Sequence, residues 1–199
     1  MLRIDQLRLL PGEPETALLS KCARLLRVEP SVLTGLTVLR RAIDAREGLT
    51  FVYTVAVSAP QETALLRRCR DKRVTAYAPE RYALPAPVAA PEVRPIVVGA
   101  GPAGLFAALV LARCGARPIL LERGRCVEQR QRDVQTFWRT GQLDTESNVQ
   151  FGEGGAGAFS DGKLNTGTRD VRHRFIMEQL VSCGAPESIL TDALPHVGT

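Results

Sequence analysis

The chain of 199 residues is 45% hydrophobic and 24% charged, with a formal net charge of +5, the profile of an ordinary soluble globular protein of one or two domains. No apolar run approaches the ~20 residues of a membrane span, and Arg3, Asp5 and Arg8 break up any signal-peptide pattern, so the expected address is the cytoplasm, with no membrane partner. The five cysteines, Cys22, Cys69, Cys114, Cys126 and Cys183, include no CxxC pair, which argues against a disulfide framework, a zinc knuckle and a sequence-local redox dithiol.

In chain order, Leu2, Ile4, Leu7 and Leu9 open as a strand that Pro11-Gly12 ends. Leu18, Leu19, Cys22, Leu25 and Leu26 then recur at helical spacing within residues 14–28. Two β-rich runs, 36–45 and 49–58, flank the turn Arg46-Glu47-Gly48. Ser58 with Gln61 reads as a capping box for a helix reaching Asp71, and residues 73–78 make a last strand. The order β-α-β-β-α-β over residues 1–78 predicts a ferredoxin-like α+β domain. Residues 1–90 hold 14 basic against 9 acidic side chains and residues 91–199 hold 12 against 12, so the positive excess belongs to the first part.

Five prolines between residues 79 and 95 exclude a helix or a central strand, leaving residues 79–94 as an extended linker. Residues 95–199 form the second predicted domain. Ile96-Val97-Val98 reads as a short buried strand, followed by a glycine loop, a helix to about Arg113 and a strand over residues 118–121. A polar helix at 126–140, a second glycine-rich loop at 152–167 and a helix at 170–183 complete it. The fold class expected is α/β, the start of a Rossmann-like dinucleotide-binding domain behind the ferredoxin-like one.

The loop Gly99-Ala100-Gly101-Pro102-Ala103-Gly104 is GxGxxG. By itself the pattern is weak, but here it follows an apolar strand, opens a helix and precedes a strand that ends in Glu122. Each position has a duty. Gly99 permits the tight turn, Gly101 lets a pyrophosphate approach the backbone, and Gly104 lets the helix lie close on the strand. The helix N-terminus offers N–H groups and partial positive charge to the phosphates. Glu122 can accept from the adenosine ribose hydroxyls, and its charge would repel a 2′-phosphate, which argues against NADP in this site.

FAD and NAD share the ADP half, so the fingerprint alone does not separate them. The stretch Phe151-Gly152-Glu153-Gly154-Gly155-Ala156-Gly157-Ala158-Phe159-Ser160-Asp161-Gly162-Lys163 favours FAD, because such backbone can pass flat against a large planar ligand. Phe151, Ala156, Ala158 and Phe159 within it predict packing rather than a free surface loop. Arg130, on the helix after Glu122, is placed either to reach a phosphate or on a solvated helix face.

The run Val98-Gly99-Ala100-Gly101-Pro102-Ala103-Gly104-Leu105 with Leu121-Glu122-Arg123-Gly124 resembles the FAD-binding start of two-dinucleotide-fold flavoproteins. The stretch from Phe151 to Thr166, with Pro195-His196-Val197-Gly198-Thr199, resembles the bacterial NAD(FAD)-utilizing, FAD-dependent dehydrogenases, and the N-terminal βαββαβ unit fits that family. The resemblance implies bound FAD and a redox role, with NAD(P)H as an electron donor in a full-length form. It also places Arg123 near the adenine end, and Gly154, Gly155, Ala156, Gly157 and Ser160 toward the flavin. Such flavoproteins close the FAD site with a later Gly-Asp strand, absent here along with any second GxGxxG. The expectation is therefore the N-terminal portion of a longer oxidoreductase acting on a small redox substrate.

Other chemistry is thin. His173 and His196 are the only histidines. His173 reads as a solvated helix residue, while His196 could face the cofactor. No nucleophilic triad or metal-ligand spacing is present. Two alternatives stay open: an RNA-binding module, for which Phe51 on the third strand would have to stack a base, and a non-catalytic remnant that keeps only the ADP grip.

Overall fold

The apolar alternation of the first strand carries a phase slip that explains its shape. Leu2 and Ile4 are two apart, Leu7 and Leu9 are two apart, but Ile4 and Leu7 are three apart, so an uninterrupted strand would turn the two pairs to opposite faces. The chain resolves this with a bulge. In the computed structural model, which describes residues 1–168 and 170–197, β1 (Leu2–Leu9) shifts register between Ile4 and Leu7. Gln6 takes a left-handed conformation there (φ 61°), and all four apolar side chains reach the core.

Around β1 the elements follow the predicted order: α1 (Ala17–Leu26), β2 (Gly35–Asp44), β3 (Thr50–Ser58), α2 (Glu62–Arg68) and β4 (Val74–Ala76). The strands form one antiparallel sheet in the order β2-β3-β1-β4. Leu18, Cys22 and Leu26 of α1 and Leu65 of α2 pack on Leu2, Ile4, Val55, Val57 and Val74. Leu18 has no exposed surface, so Leu18→Ala should cost about 2–5 kcal/mol. Urea denaturation followed by circular dichroism measures that loss.

Three expectations for this unit change. Gln61 precedes α2 in a left-handed conformation and forms no side-chain cap. The reciprocal bond comes instead from Glu62, whose carboxylate accepts from the Ala59 N–H at 3.4 Å and pairs with the N-terminal ammonium at 2.7 Å. The helix stops at Arg68, short of Asp71, which a bidentate pair with Arg73 holds in the following turn. Phe51 packs against the core, and neighbouring Tyr53 is buried and donates to Glu15 at 3.0 Å. Both aromatics therefore face the helices rather than the surface on which an RNA base would stack.

The largest difference concerns the domain boundary. The chain divides into two compact units, but Leu164–Pro195 group with Met1–Arg81, whereas the sequence assigns them to the second domain. The cause is the free edge of β2, whose outward N–H and C=O groups need partners. Arg41 N–H donates to Thr191 O and Ala193 N–H donates to Arg41 O, each at 2.7 Å. The Arg41 guanidinium pairs with Asp192 at 2.8 Å, and that partner raises the arginine's pKa. Ahead of this contact lies α5 (Val171–Ser182), capped by Asp170, which accepts from Arg172 N–H.

The second unit comprises Tyr82–Lys163 with His196 and Val197. The proline-rich stretch is neither helix nor strand, and it is tied to this unit: Val88 N–H donates to Cys114 O at 2.8 Å, and the Cys114 thiol donates to Pro85 O at 3.4 Å. β5 (Ile96–Val98) pairs in parallel with β6 (Ile119–Leu121), joined by α3 (Pro102–Arg113). α4 (Val127–Thr140) follows, then a glycine-rich loop with one 3-10 turn at Ala156–Phe159. β5 is not the buried strand expected, since Val98 is 83% exposed and Ile96 60%. Among the described residues its sheet has only two strands. No described helix is long and apolar enough to cross a membrane.

Candidate dinucleotide site

The glycine loop sits where β5 ends and α3 begins, held by both strands. Gly99 N–H donates to Leu121 O at 2.6 Å. Glu122, one residue beyond β6, turns its carboxylate back across the loop. One oxygen accepts from Ala100 N–H at 2.6 Å and the other from Gly124 N–H at 2.8 Å. These backbone donors, Ala100 first, hold the Glu122 carboxyl below its ordinary value of 4.5, against partial burial, which would raise it. The backbone N–H groups of Gly152 and Arg123 add smaller contributions that also lower it.

The three glycines differ in what surrounds them. A Cβ on Gly104 would lie 1.9 Å from Gly99 O, so helix and loop touch backbone to backbone there. A Cβ on Gly101 would meet nothing within 4 Å, which leaves open space on the side from which a diphosphate would come. Leu105 N–H is bonded to Gly101 O, and Pro102 has no N–H. The amides of Ala103 and Gly104 are thus the first-turn donors left for an external acceptor. Open backbone, two forward amides and a carboxylate just beyond the second strand fit the ADP half of FAD.

The second glycine loop does not stand apart from the first. Gly154 N–H donates to Ala100 O at 2.9 Å, and a Cβ on Gly155 would come within 3.3 Å of Gly101 and Pro102. Ala156 and Gly157 are exposed in the 3-10 turn that follows. Ser160 closes that turn, donating to Gly157 O at 2.9 Å and accepting from Gly162 N–H. The Arg123 guanidinium lies 4.2 Å from the centre of the Phe151 ring and pairs loosely with Glu146 at 3.4 Å.

Arg130 departs from both readings of the sequence. It is completely buried, so it is not on a solvated face, and its five N–H donors are all spent on the loop. They reach the carbonyls of Asn148, Val149, Glu153 and Gly155, and the guanidinium stacks over Phe159 at 4.9 Å. No donor remains for a phosphate, so Arg130 builds the loop rather than binding the ligand. The signal was present: Arg130 and Val134, four apart, share the buried stripe of α4.

Other loop-building residues carried no motif. Glu153 accepts from Val127 N–H at 2.8 Å and so caps α4 from a distance. Buried Ser147 donates to Asp133 at 2.5 Å, and Arg125 pairs with the same carboxylate at 2.9 Å. Ser147 first, then Arg125, lowers the Asp133 pKa. His196 pairs its backbone with Lys163 near Asp161. Gly198 and Thr199, the end of the family-like tail, lie outside the described residues.

The Glu122 bonds set a pH dependence. A carboxyl depressed in the folded state contributes stability that is complete above its unfolded value and is lost as pH falls through the folded one. Folding stability should therefore be flat from neutral pH down to about 4.5 and fall below it, and FAD retention, which needs the folded loop, should fall with it. Glu122→Gln should weaken retention at neutral pH and flatten the acid limb, because its amide group can satisfy only one of the two backbone donors. Flavin fluorescence across a pH series measures both.

Residues 1–58 match a domain of unknown function (DUF8436), and residues 92–147 match the FAD binding domain. The chain is 41% identical over 201 residues to a protein of Clostridium beijerinckii (strain ATCC 51743 / NCIMB 8052), described as an uncharacterized protein. That alignment takes in 100% of this chain and 38% of the relative. The match over residues 92–147 includes the glycine loop and Glu122, and the cofactor of this chain is FAD.

Proposed function

We propose that the chain is the FAD-binding part of a flavin-dependent oxidoreductase of the dehydrogenase type, acting on a small redox substrate in the cytoplasm. The observation that carries this reading is the doubled glycine site: Glu122 holds the first loop, and Gly154 and Gly155 of the second loop lie against it. In this reading the second unit is a Rossmann-like fold and the first a ferredoxin-like one, supported by the parallel β5-α3-β6 crossover and by the sheet order β2-β3-β1-β4.

FAD supplies the hydride and electron transfer, and the protein supplies placement. Gly101, Ala103 and Gly104 would face the diphosphate, and Glu122 the adenosine ribose. Gly155, Ala156 and Gly157 would carry the loop toward the flavin end. Arg130 keeps that loop in place, and NAD(P)H is the proposed electron donor. The test is reconstitution. Chain incubated with excess FAD and desalted should retain flavin absorbance near one equivalent, and NADH or NADPH should bleach it. Retention without bleaching by either would leave FAD binding intact and overturn the dehydrogenase reading.

A further inference from the structure

The positive excess of the sequence is concentrated in one place. In the first unit, beside the C-terminal ends of α1 and α2, a cavity of about 980 Å³ is lined by Lys21 and six arginines, with Asp71 as the single acidic lining residue. The lining nets +6 and the whole chain +5, so everything outside the cavity is close to neutral. Like charges gathered in a concave site repel one another and focus the potential there.

Four of the seven cations have partners. Arg8 pairs with Asp44 at 3.0 Å, Lys21 with Glu13 at 3.2 Å and Arg73 with Asp71 at 2.7 Å. Arg68 donates to the carbonyls of Leu26 and Arg27 at 3.5 and 3.4 Å. The other three, Arg24, Arg27 and Arg70, are exposed and find no acceptor among the described residues.

Service to the helix end does not account for these three. Cations favour a helix C-terminus, yet the last carbonyls of α1 already have donors. Backbone N–H groups of Val28 and Arg27 serve Ala23 and Arg24. The Cys69 thiol serves Leu25 at 3.7 Å, and Arg68 serves Leu26 and Arg27. The β1 bulge adds Gln6 to the same lining. No aromatic side chain is present in it, so nothing there can stack a nucleobase.

We propose that this cavity binds a small oligophosphate anion, recognised by charge and phosphate oxygens. Guanidinium groups match phosphate bidentately, and the volume lies within the range of about 300–1,000 Å³ typical of small-ligand pockets. A nucleic acid offers the same phosphates, but the missing stacking surface favours a short anion.

The full chain is titrated by calorimetry with inorganic tripolyphosphate, at low and at physiological salt, with and without excess FAD. Saturable binding of one anion per chain is expected, weaker at higher salt and unchanged by FAD. The variant R24Q/R27Q/R70Q should bind about tenfold more weakly or worse. The control R81Q/R132Q/R139Q, three exposed arginines outside the cavity, should bind like the parent. All six positions are on the surface, and circular dichroism verifies that both variants fold. Equal affinity in the two variants, no saturable binding, competition by FAD, or binding of single-stranded RNA that tripolyphosphate cannot displace would each overturn the proposal.

Discussion

Gly104→Ala is expected to lower FAD affinity about a hundredfold, although it adds a single methyl group. The new Cβ would stand 1.9 Å from the Gly99 carbonyl oxygen and 3.0 Å from its carbon. Both are backbone atoms, so no rotamer change relieves the overlap, and α3 must move off the loop by roughly 1 Å. That shift moves the Ala103 and Gly104 amides away from the diphosphate, and losing two hydrogen bonds to a charged acceptor, at about 1.5 kcal/mol or more each, is worth about 10²-fold in affinity. Overpacking should also cost about 1–3 kcal/mol of stability. Gly101→Ala is the informative comparison, because its Cβ meets no protein atom. It should leave the melting temperature unchanged while still weakening FAD, since the added methyl enters the space reserved for phosphate. Flavin fluorescence titration with thermal melting separates the two, and equal FAD affinity in parent and G101A would sink the assignment of that space.

Arg130→Ala should unfold the second glycine loop while most of the protein stays folded. The substitution strands the carbonyls of Asn148, Val149, Glu153 and Gly155. A buried acceptor without a donor costs about 1–3 kcal/mol. With water reaching some of the four, a local loss of about 3–5 kcal/mol is expected. Gly152 ties the same residue to the strand side: a Cβ there would lie 2.4 Å from Arg130 Cδ, and one on Gly124 would lie 2.4 Å from Gly152 Cα. Arg130, Gly152 and Gly124 thus form a stack with no slack. Arg130→Lys should not restore the loop, since an ammonium has three donors and no planar fork. Limited proteolysis across residues 147–160 reads the effect, and Arg132→Ala, on the exposed side of the same helix, is the control. Equal protease resistance in parent and R130A would show that the guanidinium bonds are dispensable.

What could be read from the sequence depended on how local the cause was. The helix Pro102–Arg113 ends at the residue expected, because its start is fixed by a glycine-proline loop and its end by Arg113-Cys114-Gly115. The strands of the first unit followed from β-rich runs and the turns that bound them. The glycine fingerprint was legible because each of its residues answers to backbone geometry within a few positions. Arg130 was misread because its partners lie 18 to 25 residues downstream: the spacing to Val134 marks the buried side of the helix but not what the guanidinium meets there. The return of residues 164–195 to β2 was invisible for a related reason. Composition marks where a chain leaves a domain, but an edge strand's demand for hydrogen bonds does not reveal which distant segment will meet it.

The exposed faces of β5 and β6 bear on how this chain behaves in the laboratory. Ile96, Val98, Leu120 and Leu121 are all at least 36% exposed on one small parallel sheet, a surface of the kind that apolar dyes adsorb to. Native protein should therefore light up an anilinonaphthalene sulfonate dye before any heating. A dye-based melting curve would start high and report little, so unfolding of this chain is better followed by circular dichroism.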